Sequence, residues 1–153
     1  RGRLIVEDST LYGNALISFR RDYGSTWEGA VEIRNCRWIP AGGEQCWPHM
    51  INVNNDGTHD FGYACSMPRE VSIDGLFVDD THTPEGYQGM YFFTDPQDGQ
   101  DGLENDTPSA ARPFPYAPCQ QVRVRGLTTA SGLKPRLSPN ANMNANTIVL
   151  EEN

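Results

Sequence analysis

The sequence predicts an all-β chain wound as a parallel solenoid, on three observations: a β-branched segment repeated four times in one register, a column of Asp, Asn and Gly inside it, and a second repeat interleaved with the first. The segments are Leu4-Ile5-Val6-Glu7-Asp8-Ser9-Thr10-Leu11, Val31-Glu32-Ile33-Arg34-Asn35-Cys36-Arg37-Trp38, Val71-Ser72-Ile73-Asp74-Gly75-Leu76-Phe77-Val78 and Val122-Arg123-Val124-Arg125-Gly126-Leu127-Thr128-Thr129. Their first and third columns are aliphatic and their second and fourth mainly polar, the period-two signature of strands buried on one face. The fifth column reads Asp8, Asn35, Gly75, Gly126. These residue types adopt the left-handed backbone region at low cost, so the column predicts a corner turned by one residue. Ser9, Cys36, Leu76 and Leu127 then resume the inward course.

Each cornered segment is followed by a third strand. In chain order these are Asn14-Ala15-Leu16-Ile17-Ser18-Phe19-Arg20, His49-Met50-Ile51-Asn52-Val53-Asn54, Gly89-Met90-Tyr91-Phe92-Phe93-Thr94 and, more weakly, Arg136-Leu137-Ser138-Pro139-Asn140. Aligned on Ile17, Ile51, Tyr91 and Leu137, they place Phe19, Val53, Phe93 and Pro139 on one face. The other, mostly polar face then carries Ser18, Asn52, Phe92 and Ser138. The outcome is about four rungs of three short strands, separated by 27, 40 and 51 residues at Val6, Ile33, Ile73 and Val124, with loops of growing length. An antiparallel sandwich would require hairpin dipeptides between neighbouring strands. Asp56-Gly57 is the only good one, and 13 residues follow it before the next strand.

The chain of 153 residues reads as a single domain over 1–153, with a long acidic insertion at 95–119. A net charge of −8 argues against nucleic acid and anionic membranes as partners, since phosphate backbones and acidic headgroups select clustered Lys and Arg. No apolar run is long enough to span a bilayer. The opening Arg1-Gly2-Arg3 and the absence of capping helices at either terminus fit a fragment of a longer solenoid. Four cysteines allow three pairings. Cys36 falls in an inward column and reads as a core thiol, Cys65 and Cys119 are a candidate bridge between adjacent rungs, and Cys46 stands apart.

Chemistry is expected in the loops leaving the third strands. Rungs repeat every ~4.8 Å, so Asp22, Asp56 and Asp95 would meet at one edge. Like charges at that range raise one another's pKa, which suits a glycosidase acid and its partner carboxylate. Arg21 and His59 add a carboxylate-neutralising cation and a proton-abstracting base, the requirements of a β-eliminating lyase. Arg20, Tyr23, Trp27, Asn52, Asn54, Asp60, Tyr63 and Phe92 are the expected substrate-binding residues, because aromatic faces stack on sugar C–H surfaces while polar groups bond hydroxyls. The competing assignment makes Asp56 and Asp95 turn-capping residues, pairs Asp22 with its neighbouring arginines and leaves His59-Asp60 structural. No Cys or His pair has zinc-ligand spacing. Residues 95–106 are oxygen-rich but lack EF-hand spacing, so a solvated loop is favoured over a Ca²⁺ site and no cofactor is expected.

Arg20-Arg21-Asp22-Tyr23-Gly24-Ser25-Thr26-Trp27, His59-Asp60-Phe61-Gly62-Tyr63 and Leu137-Ser138-Pro139-Asn140, together with the corner column, resemble right-handed parallel β-helix proteins of the pectin-lyase-like class. That class contains secreted bacterial polysaccharide-degrading enzymes and phage tailspikes. The resemblance implies an extracellular, secreted or virion-tail protein that binds polysaccharide along one parallel sheet, with glycoside hydrolase or polysaccharide lyase activity as the enzymatic options. The alternative is a non-catalytic structural or adhesive segment, and a homo-oligomer or the remainder of a longer chain would be its protein partner. The paired aspartates of polygalacturonases and the calcium cluster of pectate lyases have no counterpart here, so no catalytic assignment follows from the resemblance.

Overall fold

In the computed structural model, which describes residues 2–19, 27–40, 48–52, 65–93, 116–139 and 141–152, every pairing between strands is parallel. The longest sheet is built from β1 (Arg3–Glu7), β4 (Ala30–Ile39), β7 (Glu70–Val78), β10 (Gln121–Thr129) and β11 (Ile148–Glu152), hydrogen-bonded in that order. A short β2 (Thr10–Tyr12) carries the line of β1 onward along β4. Val6, Ile33, Ile73 and Val124 are in register, as the repeat predicts.

The corner column is left-handed at all four positions, with φ of 50° at Asp8, 47° at Asn35, 79° at Gly75 and 64° at Gly126. Asn35 and Asp8 also bond to one another, Nδ2 donating to Oδ1 at 2.6 Å, so two polar corner residues satisfy each other across the pairing. Each strand thus changes direction without leaving its ladder. Inward positions before the corner, Val31, Ile33, Val71, Ile73 and Val122, are at most 1% exposed. Burying an aliphatic side chain of this size stabilises by about 1.5–3 kcal/mol. Beyond the corner Leu76, Trp38 and Val78 continue the core, and Trp38 Nε1 donates to the Gly13 carbonyl at 2.9 Å.

A second sheet consists of β3 (Ala15–Ser18), β5 (His49–Asn52) and β8 (Tyr91–Phe93), with an isolated parallel bridge from Tyr91 to Arg136. Its register differs from the expected one: Ile51 faces Phe93 rather than Tyr91, and Arg136 rather than Leu137 faces Tyr91. Between β5 and β8 the slip is two residues, which preserves face alternation and exchanges one aromatic for another, so the sequence pattern accepts both registers; at Arg136 it is one residue, which exchanges the faces. The expected polar outer face is also replaced. Leu16, Ile17, Met50, Ile51, Phe92 and Phe93 are all buried, which covers both faces of these strands at mid-length and confines polarity to their ends.

A third, two-stranded sheet pairs β6 (Cys65–Ser66) with β9 (Tyr116–Ala117), and Trp27 N donates to Ser66 O at 2.8 Å. The last residues of the predicted 95–119 insertion are therefore part of the paired structure; 94–115 lie outside the described residues. Where the chain passes into the long strands, backbone bonds stack Gly2, Gly29, Arg69, Gln120 and Ile148 in succession. A Cβ at Gly29 would lie 2.0 Å from the Gly2 carbonyl oxygen, so only glycine permits that approach.

The short helix α1 (Ala141–Asn146) and β11 were not expected from the sequence. Val149 takes the first aliphatic column, but Glu151 takes the third, which breaks the pattern that marks the other strands. Cys36 is buried as expected. Cys119 is a fully buried free thiol, which removes the Cys65–Cys119 bridge, and burial pushes its pKa up to about 12.

Candidate functional site

The start of the second sheet gathers the least easily explained polar side chains. Ala15, His49, Tyr91 and Arg136 follow one another in register, each held by a backbone bond to the preceding strand's line: His49 N to Asn14 O at 3.2 Å, Tyr91 N to Pro48 O at 3.2 Å and Arg136 N to Met90 O at 2.9 Å. Parallel in-register pairing stacks equivalent side chains. The His49 and Tyr91 rings accordingly lie 5.8 Å apart at 18° between planes, and the Arg136 guanidinium carbon sits 4.1 Å from the Tyr91 centroid. A guanidinium over a tyrosine face is attracted by the ring quadrupole, and its planar fork of donors stays directed edge-on.

His49 and Tyr91 are half-buried and Arg136 is exposed. Among the described residues no carboxylate lies within ion-pair distance of Arg136. The column thus stacks an imidazole, a phenol and a guanidinium face over face, with the Tyr91 hydroxyl and the Arg136 guanidinium as groups able to donate hydrogen bonds to the oxygens of one extended ligand. Recognition of sugar hydroxyls or of a carboxylate or sulfate oxygen pair fits this set of donors.

Of the residues expected from the sequence, three lie within the described chain. Trp27 is half-buried, packs against the core and stacks on Phe19 with centroids 6.2 Å apart, its Nε1 buried without a hydrogen-bond partner. Asn52 ends β5 in register with Ser18, and its Oδ1 is likewise buried without a partner. Phe92 is 5% exposed and lines a cleft with Val124 and Leu127, so its ring faces the core instead of the expected polar surface. Asp22, Asp56, Asp95, His59, Arg21, Arg20, Tyr23, Asn54, Asp60 and Tyr63 lie outside the described residues, as does the 95–106 segment considered for Ca²⁺. The described residues contain no group of three or more His, Cys, Asp or Glu side chains able to hold a metal.

His49, Tyr91 and Arg136 are not site residues on the sequence pattern. Aligning the second repeat on Phe93 in place of Tyr91 stacks His49 on Tyr91, but it sets Pro135 beside them; Arg136 joins the column only through a further one-residue shift of the last segment, which alternation does not predict. Buried Asp80 accepts from the Ser131 backbone N–H at 2.8 Å and hydroxyl at 2.6 Å, tying the chain after β7 to the chain after β10. Comparison of the chain with protein-family models, curated proteins and solved structures returned no match.

Proposed function

We propose that this chain is a right-handed parallel β-helix module of pectin-lyase-like type, extracellular or carried on a virion tail, that binds polysaccharide at the edge of its second sheet. The stacked column of His49, Tyr91 and Arg136 carries this reading, because ring and guanidinium faces spaced by strand pairing, with the Tyr91 hydroxyl and Arg136 as donors, suit a regular polymer of hydroxyl-bearing rings. Chain-order pairing of β1, β4, β7, β10 and β11, with corners in one column, supports the solenoid.

Hydrolase or lyase chemistry at the opposite ends of the same strands is the enzymatic form of the proposal. Its support is positional: the strand ends Ser18, Asn52 and Phe93, neighbours in one sheet, are the points from which the stretches containing Asp22, Asp56 and Asp95 depart. A non-catalytic adhesive segment is the second reading, and the paired charges on the outer face of the long sheet favour it, since a stiff shaft requires satisfied surfaces more than a reactive one.

Binding to a panel of neutral and acidic polysaccharides, measured by affinity electrophoresis and calorimetry, tests the site. Arg136→Ala and Tyr91→Ala should each weaken binding by roughly tenfold, the effect of one lost hydrogen-bonding or stacking contact. Retained affinity in both folded variants, or no binding to any glycan, removes the proposal. Reducing-end release and absorbance of unsaturated products separate hydrolase, lyase and adhesin. Turnover that survives both Asp22→Asn and Asp56→Asn would exclude those carboxylates.

A further inference from the structure

Arg136 reaches the Tyr91 ring without a strand of its own. Its link to the second sheet is an isolated bridge, in which Arg136 N–H donates to the Met90 carbonyl at 2.9 Å and Phe92 N–H to the Arg136 carbonyl at 2.8 Å. Among the described residues no carboxylate draws the guanidinium to that place. A cation–π contact at an exposed position is weaker than a hydrogen bond to a charged group, so the ring alone does not fix the side chain. The chain that delivers residue 136 has to do so.

Residues 130–135 are tied at their start to a buried carboxylate. Asp80 is 2% exposed, and its two oxygens accept from the Ser131 backbone N–H at 2.8 Å and the Ser131 hydroxyl at 2.6 Å. The same hydroxyl accepts from Leu133 N–H at 3.1 Å, while Thr129 Oγ1 donates to the Leu133 carbonyl at 3.0 Å and Gly132, at a φ of 72°, closes the turn by donating to the Thr129 carbonyl at 3.2 Å. Asp80 is itself set in place: Thr83 Oγ1 donates to its carbonyl at 3.0 Å, and Arg37 and Thr81 hold Asp79 beside it. A carboxylate buried this deeply is costly unless its oxygens are bonded, and here both bond one residue of the chain after β10. At the far end of the segment the backbone crosses Gly89 so closely that a Cβ there would lie 2.9 Å from the Lys134 carbonyl oxygen. Only four residues separate Ser131 from Arg136, one of them Pro135 with its fixed φ, so a displacement at Ser131 is passed on to Arg136.

We propose that Asp80 is a positioning residue for the polysaccharide site: through Ser131 it holds the segment that lays the Arg136 guanidinium on Tyr91, and so acts on a ligand that it does not touch. Only its effect on the ligand rests on reading the His49, Tyr91 and Arg136 column as the polysaccharide site; the placement of Arg136 is measurable without one. An Asp80 that served stability alone would leave Arg136 on the ring in any variant that folds.

NMR of the unaltered protein should show the Hδ protons of Arg136 shifted upfield by the ring current of Tyr91, with Tyr91→Leu defining the unshifted position; absence of that shift overturns the proposal at once. In Asp80→Ala, shown by a thermal melt to be folded at the temperature of measurement, the resonances should move to the Tyr91→Leu position. Full retention of the shift overturns the proposal. Should Asp80→Ala not fold, Ser131→Ala, altered at an exposed position, removes the hydroxyl that links Asp80 to Leu133 and is read by the same two outcomes. Binding is the second readout: the folded variant should lose roughly tenfold in polysaccharide affinity, as Arg136→Ala does, and combined with Arg136→Ala it should lose no more. Additive losses would place the effect of Asp80 outside Arg136 and overturn the proposal. Absence of glycan binding by the unaltered protein removes the polysaccharide reading and leaves the ring-current shift to decide what Asp80 does.

Discussion

At Asp8, Asn35, Gly75 and Gly126 a single backbone angle does the same work four times. The residue types differ in how they reach it: glycine without a Cβ penalty, Asp and Asn through short side chains that bond locally. At Gly75 there is room for a side-chain carbon, since a Cβ would lie 3.5 Å from the nearest atom, Asn35 N. Strain from the left-handed conformation, not a clash, is what a substitution there would meet. Gly75→Val should therefore destabilise by about 1–2 kcal/mol, and Gly75→Asn by clearly less, read as a shift of the urea midpoint with unchanged slope. Equal losses would show that packing and not backbone angle governs the corner. Gly29 is the contrasting case, where the neighbouring backbone itself occupies the place a Cβ would take.

The strands of the long sheet hold their register by two different chemistries on their two faces. Inside, β-branched residues stack on β-branched residues; outside, the charges alternate. Arg125 donates to Asp74 and holds its carboxyl below the usual value of 3.8, and Arg37, with Thr81, does the same to Asp79. The folded pKa values are depressed, so these groups contribute their stability in full above the ordinary aspartate range. That contribution is lost as pH falls through the lowered values. Acidification below about 4 should lower the thermal midpoint, and Asp74→Asn should lower the midpoint slightly at neutral pH while changing little at low pH, which flattens that part of the profile. A profile identical to that of the unaltered protein would show that the Arg125 pair has no bearing on folding. The second sheet uses neither chemistry throughout: its strands are buried on both faces and polar only at their ends.

Across the whole molecule, burial is deepest in the middle strands and thins toward both edges. Ile33 and Ile73 are at most 1% exposed, while Val6 and Val124, in the same column, are only partly buried against the core. Ile73→Ala should cost about 2–5 kcal/mol, and Val124→Ala distinctly less, because a side chain already half in contact with water loses less on truncation. Chemical denaturation of the two variants measures the difference; equal costs would mean that the open end is as tightly packed as the centre. The same gradient leaves a cleft of about 610 Å³ beside β10 and β11, floored by Phe92, Val124 and Leu127.

Residue order alone specified the cornered strands, their mutual register and the parallel sense of their pairing, because aliphatic alternation and left-handed tolerance are local properties repeated four times. The ten site candidates from Arg20 to Asp95 that rest on loops fall outside the described residues. Three matters were decided only by the assembled structure. β11 was hidden because Glu151 sits where its column demands an aliphatic residue. Phe92 was assigned to a polar face because period two says which residues share a side, not which side is covered. His49 and Tyr91 stack only once β5 and β8 adopt one of two registers that the alternation treats as equal, Arg136 joins them through a one-residue shift that the alternation disfavours, and both choices are made by contacts between segments distant in sequence.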